Sequence, residues 1–138
     1  MSTSLVADIG GTHARFALLT GSRMLNMHSL DVAAYATPEA AIAEFLKRRR
    51  HAKIDRAVIA AAGPVSGNRC KLTNGTWVLD GEDLAAKFGF ASVHVVNDLE
   101  ALGWAVLHLR PKDYRAIGGG RCVRDGAGAS RCGETNVQ

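Results

Sequence analysis

The stretch "VADIGGTHARFALL", Val6–Leu19, decides the beginning of the fold. Two apolar runs, Leu5–Asp8 and Ala14–Leu19, are separated by a short polar segment that contains two consecutive glycines. Because glycines suit a tight connection between two runs with strand character, the pattern predicts an antiparallel hairpin. A third strand is predicted over Arg23–Leu30, so the chain opens with a three-stranded meander.

After the meander the apolar period changes from that of strands to that of helices. Thr37, Pro38 and Glu39 form a helix start, with a hydroxyl cap, proline in the first turn and an early acid. Buried strands are predicted over Ala57–Ala62, in a central position, and over Val93–Val96. Further elements are a short strand at 69–73, a helix from Asp80 to Gly89 and a helix from Asp98 to Leu109 that Pro111 stops. The predicted fold class is α/β, with a mixed sheet that opens as an antiparallel meander and continues in β-α alternation.

Composition and charge exclude several classes of protein. Of the 138 residues 47% are hydrophobic, which is enough for a core, but no uncharged apolar run is long enough to cross a bilayer. The net charge of +4 divides unevenly, with +1 over residues 1–109 and +3 over residues 110–138, so we expect no nucleic-acid partner. "KRRRHAK", residues 47–53, is either a basic helix end or a nucleic-acid patch, and its position favours the helix end. Three cysteines without metal-ligand spacing and no secretory signal predict a cytoplasmic protein that does not enter a membrane.

The interruption in the opening hairpin has the residue types of a metal–phosphate site. An acid at the end of a buried strand, Asp8, is costly unless it is paired or bound to a metal. Gly10, Gly11 and Thr12 offer backbone N–H groups that no side chain blocks, together with one hydroxyl. The segment therefore suits either Mg²⁺ and phosphoryl oxygens or an ordinary hairpin with a solvated acid, and it matches neither a P-loop nor a dinucleotide fingerprint.

Two further polar segments follow predicted strands. Asn97 and Asp98 stand where a buried strand gives way to a helix, at the carboxyl edge where ligands bind in open α/β sheets. Both residue types are also common helix caps, and capping is the commoner explanation of such a pair. "TNGTW", Thr73–Trp77, could line a sugar or nucleotide pocket, or form a surface turn with a packed tryptophan.

Taken together, "ADIGGTHARFALL", "AAGPVSGN…LTNGTW" and "VHVVNDLEAL" resemble the amino-terminal lobe of the bacterial glucokinase family. That family belongs to the superfamily of sugar kinases, actins and heat-shock ATPases, with their ribonuclease H-like lobes. The resemblance covers residues 4–117, and His13 stands where many relatives have Asn.

The resemblance implies a role for each motif. Asp8 would bind Mg²⁺, and Gly10, Gly11, Thr12 and Arg15 would face the phosphates of ATP. Asn97 and Asn74 would bind glucose. Asp98 would bind glucose and act as the catalytic base that takes the proton of the accepting hydroxyl.

The chain also departs from the family. Relatives are roughly twice as long and continue into a second lobe, which carries another phosphate loop and the remaining sugar ligands. We therefore expect residues 1–117 to be a first lobe and residues 118–138 to be an irregular glycine-rich tail, from truncation or a frame shift. The implied function is phosphorylation of glucose by ATP, with little activity in this chain alone. Two alternatives stay open: a kinase for another hexose, and a non-catalytic remnant or interaction domain. A homodimer is compatible with either.

Overall fold

The opening segment forms the predicted antiparallel meander. The computed structural model describes residues 2–49, 53–113 and 115, and the backbone of residues 122–124 and 130–132. The meander consists of β1 (Thr3–Ile9), β2 (His13–Thr20) and β3 (Arg23–Asp31). β1 and β2 pair from Thr3↔Thr20 to Ile9↔Ala14, and the pairing of β2 with β3 contains one register shift, between Phe16 and Leu18.

The predicted alternation of helices and strands follows the meander. Helix α1 (Pro38–Lys47) begins at Thr37, whose hydroxyl accepts a hydrogen bond from the Ala40 N–H at 3.3 Å, as the cap signature predicts. The other elements of this part are listed in chain order: β4 (Ile54–Ala61), β5 (Val65–Ser66), β6 (Arg69–Lys71), β7 (Val78–Asp80), α2 (Gly81–Phe88), β8 (Ser92–Asn97) and α3 (Asp98–Val106).

Five strands form one mixed sheet in the order β3-β2-β1-β4-β8. β4 pairs in parallel with β1 on one side and with β8 on the other, so it lies inside the sheet as predicted. β5, β6 and β7 form a separate antiparallel sheet of three short strands. The α/β class with a mixed sheet is confirmed.

The core lies against one face of the large sheet. Alternate residues of each strand supply it because successive side chains of a strand point to opposite faces. Ile42 and Phe45 of α1 and Leu84 of α2 pack into the same cluster, and the Phe16 and Phe45 ring centroids lie 5.4 Å apart. The largest fully buried side chains are Phe16, Phe45, Leu5, Ile9, Ile42, Ile59, Leu72, Leu79, Leu84 and Cys70.

Four details of the predicted elements are wrong. β4 is not buried on both faces, since Val58 points away from the core and is 42% exposed. α3 ends at Val106 rather than at Leu109, because the N–H groups of His108 and Leu109 bond three residues back, to Ala105 and Val106. The turn predicted at 63–67 contains β5, and β7 was not predicted at all, because strands of two or three residues carry no readable alternation.

The chain divides into two compact units, residues 1–101 and residues 102–138. In the second unit a short 3₁₀ turn covers Pro111–Asp113, and β9 (Cys122–Arg124) pairs antiparallel with β10 (Ser130–Cys132). The prediction of an irregular segment is wrong for those six strand residues. The rest of the predicted tail lies outside the described residues, and the domain boundary at residue 117 stays a prediction.

Candidate functional site

The carboxyl ends of three parallel strands lie side by side at one edge of the large sheet. Ile9, Ala61 and Asn97, the last residues of β1, β4 and β8, are in register with one another. Because neighbouring strands are about 4.8 Å apart, Ile9 and Asn97 lie about 10 Å apart across β4. The segments that follow these strands contain Gly10–Thr12 and Asp98, so the fold brings two of the predicted motifs to the same edge.

The loop after β1 holds two backbone amides ready for a ligand. The Gly10 N–H donates to the His13 carbonyl at 2.9 Å, and the Val32 N–H donates to the Thr12 carbonyl at 2.9 Å, so the loop is fixed at both ends. Within the part of the chain that the structure describes, the N–H groups of Gly11 and Thr12 donate to no protein acceptor. Adjacent unpaired amides of this kind suit an anion such as a phosphoryl group.

Asp8 points away from the core and is exposed, so its carboxylate is open to solvent and to ligands. Its side chain is 56% exposed, because the period of the strand turns Asp8 to the face opposite Ile9. Arg15, its register partner on β2, places Nη1 3.1 Å from Asp8 Oδ2. An accessible carboxylate suits Mg²⁺, which keeps several waters and takes few protein ligands.

The "TNGTW" segment lies against the opening loop. The Thr73 N–H donates to the Ala62 carbonyl at 3.0 Å, and a Cβ atom on Gly11 would lie 2.5 Å from the backbone O of Asn74. Asn74 is exposed beside the loop. Trp77 is buried and its Nε1 donates to the Tyr35 carbonyl at 3.1 Å, so the packed-tryptophan alternative describes this residue correctly.

Asn97 caps helix α3. Its Oδ1 accepts hydrogen bonds from the N–H groups of Leu99 at 3.0 Å and of Glu100 at 3.4 Å, the pattern of an N-cap residue. Its Nδ2 donates to the Gly63 carbonyl at 2.7 Å, which ties β8 to the segment that follows β4. The capping alternative is therefore correct for Asn97, whose amide keeps one N–H for a ligand.

Because Asn97 caps the helix, Asp98 is largely free of that role. Its side chain is half-buried, and Oδ1 accepts a hydrogen bond from the Leu99 N–H at 2.9 Å. No hydrogen bond to Oδ2 is found among the described residues. Burial raises the pKa of the Cys70 thiol, and the negative charge of Asp98 raises it further, which places that charge near the small sheet. One carboxylate oxygen of Asp98 is thus available to a hydroxyl group.

Three residues around this site were not among the predicted site residues: Gly63, Asn68 and Cys70. Gly63 follows β4 directly, and a Cβ atom there would lie 2.4 Å from the Lys71 carbonyl oxygen. Asn68 has a φ of 59° beside Gly67 at 57°, and a Gly-Asn pair between strands is a turn signal that could have identified it. Cys70 carries no local signal, because only the tertiary fold places it near Asp98.

Two features are absent from the described ranges: a cluster of metal-ligating side chains and a membrane-spanning helix. Residues 2–49, 53–113 and 115 contain no group of three or more His, Cys, Asp or Glu side chains that could hold a metal ion. The same residues form no helix long and apolar enough to span a bilayer.

Comparison with known proteins places these motifs in one family. The glucokinase family model matches residues 5–130. The glucokinase of Hahella chejuensis is 35% identical over 126 residues, which is 90% of this chain and 39% of the relative. A crystal structure of glucokinase from an Antarctic psychrotroph superposes with a TM-score of 0.78 at 31% identity, over 89% of this chain and 40% of that one.

A more distant structure supports the fold alone. The ROK family glucokinase of Streptomyces griseus, solved in complex with glucose and AMPPNP, has a TM-score of 0.59 at 23% identity, over 75% of this chain and 35% of that one. In each case the present chain spans about two fifths or less of the protein that it matches.

Proposed function

Because the chain belongs to the glucokinase family, we propose that it is the amino-terminal lobe of a kinase that transfers the γ-phosphoryl group of ATP to glucose. The observation that carries the proposal is that the two adjacent polar residues at the start of α3 have different hydrogen-bonding roles. Asn97 caps the helix, and Asp98, half-buried at the same sheet edge, keeps a free carboxylate oxygen. A structural cap alone would need only the first of these two residues.

The loop after β1 forms the phosphate side of the proposed site. The free N–H groups of Gly11 and Thr12 would donate to phosphoryl oxygens, with Gly10 keeping the backbone approachable. Arg15 is exposed and within ion-pair distance of Asp8. Its guanidinium would neutralise phosphate charge beside the loop amides. Asp8 would hold Mg²⁺, which when bound neutralises the charge that develops on the phosphates.

The sugar side comprises Asn97, Asp98 and Asn74. The spare N–H of Asn97 and the exposed amide of Asn74 would donate to and accept from sugar hydroxyls. Asp98 Oδ2 would accept the proton of the reacting hydroxyl as the new P–O bond forms. Positioning of that hydroxyl, rather than a strong base, is what this chemistry requires.

The proposal covers the whole kinase, of which this chain spans only part. We place it in the cytoplasm, and we expect the isolated chain to be inactive, since lobe closure over the substrates needs the second lobe. A homodimer and another hexose as substrate stay predictions.

Substitution of Asp98 in a complete kinase tests the proposal. A chimaera would join residues 1–117 of this chain to the corresponding carboxyl-terminal part of the Hahella chejuensis glucokinase, with glucose-dependent ADP release as the readout. Asp98→Asn keeps the size and one acceptor but cannot take the proton, so turnover should fall about 10²–10⁴-fold. Asp80→Asn is the matched control, because Asp80 stands at another strand-to-helix junction and caps α2, and Asn caps as well as Asp.

Either of two results would contradict the assignment. An inactive chimaera that is folded and binds neither ATP nor glucose would favour the non-catalytic alternative. An active chimaera in which Asp98→Asn and Asp80→Asn both retain parental turnover would show that Asp98 is not the base.

A further inference from the structure

Asn68 stands in a tight turn between the two short strands β5 and β6. Gly67 and Asn68 both have positive φ angles, 57° and 59°, as the favoured two-residue hairpin turn requires. Asparagine is among the few side-chain-bearing residues that adopt this backbone conformation readily. The turn therefore explains why an asparagine stands at this position, but it does not explain the hydrogen bonds of the asparagine side chain.

The Asn68 amide binds the free edge of β8. Its Nδ2 donates to the Val93 carbonyl at 2.9 Å, and its Oδ1 accepts from the Val95 N–H at 2.8 Å. β8 is the outermost strand of the large sheet, so these two backbone groups face away from β4. One side chain thus replaces a neighbouring strand residue, covers the sheet edge and fixes β8 two residues before Asn97.

A second side-chain amide also connects β8 to residues 63–68, but this one belongs to β8. Asn97 at the end of β8 donates to the Gly63 carbonyl, and Asn68 reaches back from the hairpin to β8. Asn68 is itself held, because its carbonyl accepts the Gly81 N–H at 3.0 Å. A Cβ atom on Gly81 would lie 2.1 Å from Asn68 Nδ2, so a side chain at residue 81 would displace the Asn68 amide.

We propose that Asn68 is a positioning residue for Asp98. The inference rests on the proposed function, in which Asp98 is the base. The hydrogen bonds of the Asn68 and Asn97 side chains fix the carboxyl end of β8. They thereby set where Asn97 caps α3 and where the Asp98 carboxylate stands. Asn68 touches neither reacting atom and acts only through β8 and the helix start.

Asn68→Gly in the chimaera tests the inference. Glycine tolerates the positive φ, so the substitution removes the amide without straining the turn. A displaced base should lower kcat about 10- to 100-fold while leaving the KM for ATP near the parental value. Asn26→Gly is the matched control, because Asn26 also has a positive φ, 57°, but is exposed in β3, and its side chain has no hydrogen bond in the described residues.

Amide hydrogen exchange in the 138-residue chain gives a readout that does not depend on catalysis. Asn68→Gly should lower the protection of the Leu99 and Glu100 N–H groups, which Asn97 caps, whereas Asn26→Gly should leave them unchanged. If Asn68→Gly does not fold, Asn68→Asp takes its place. A carboxylate cannot donate to the Val93 carbonyl but a protonated carboxyl can, so the protection factors at these two amides should recover as the pH falls through the carboxyl range.

The outcomes separate this inference from the proposed function. Parental kcat in Asn68→Gly, or an equal fall in Asn26→Gly, would overturn the positioning role even though the kinase is active. A folded parent chimaera that is inactive and binds neither ATP nor glucose would contradict the proposed function, while altered exchange at Leu99 and Glu100 would still support the link from Asn68 to the helix start.

Discussion

Gly11 and Asn74 lie so close together that a Cβ atom on Gly11 would stand 2.5 Å from the backbone O of Asn74. The two residues are 63 positions apart in the chain, and each belongs to a different motif of the candidate site. The contact explains the second glycine of the opening loop by close approach of two backbones rather than by an unusual φ angle.

Gly11→Ala should therefore destabilise the fold, whereas Gly10→Ala should be tolerated. The nearest atom to a Cβ on Gly10 is the His13 carbonyl oxygen at 3.6 Å, an ordinary contact, while the atom that opposes Gly11 is backbone and cannot yield easily. We expect a loss of about 1–3 kcal/mol in the free energy of unfolding for Gly11→Ala. Chemical denaturation of the two variants measures the difference, and equal midpoints would contradict the contact.

Asn97→Ala should cost more stability than Asp98→Ala. The first removes the helix cap, about 1 kcal/mol, and also leaves the Gly63 carbonyl without its donor. The second removes one bond to the Leu99 N–H, which Asn97 also caps. Thermal unfolding of the 138-residue chain compares them, and the reverse order would show that Asp98 is the cap.

Asp8→Ala should leave stability nearly unchanged but weaken binding of Mg²⁺ and nucleotide in the chimaera. The ion pair with Arg15 is exposed on both sides, and such pairs contribute at most about 1 kcal/mol. Thermal unfolding gives the stability, and titration with Mg²⁺ and a non-hydrolysable ATP analogue gives the affinity. Parental affinity in Asp8→Ala would show that Asp8 is a solvated hairpin residue and does not bind Mg²⁺.

Cys70 should report on the charge of Asp98. In a Cys122→Ser/Cys132→Ser background, thiolate absorbance should give Cys70 a raised pKa, and Asp98→Asn should lower it, because burial remains but the negative charge is lost. A thiol whose folded-state pKa is raised contributes stability below its unfolded-state pKa and loses it as the pH rises through the folded value. The fold should thus weaken above about pH 9, the ordinary value for a thiol. Identical Cys70 titrations with and without Asp98→Asn would show that the charge of Asp98 does not act on the Cys70 thiol.

The isolated 138-residue chain should release no glucose-dependent ADP above background. It spans 39% of its Hahella chejuensis relative, and under the proposed function a second lobe is needed to enclose the substrates. A coupled assay on protein of verified mass measures this, and activity that follows the monomer through purification would contradict it.

The sequence by itself determined the fold class, the meander and the capped starts of α1 and α2. These features are local: turn residues, helix caps and the change of apolar period act between residues a few positions apart. The family also followed from sequence, since three motifs agreed in order and spacing. Short strands such as β7 and the early end of α3 were not readable, because few residues carry the pattern and tertiary contacts override it.

Only the tertiary structure decided which side chain does what at the sheet edge. Asn97 and Asp98 are adjacent and of similar character, so no local rule tells the cap from the free carboxylate. Register across β4 and β8 put Asn97 within reach of Gly63, and register across β1 and β2 put Asp8 opposite Arg15. Asn68 meets β8 from 25 residues away, a contact set by chain packing that neither segment encodes alone.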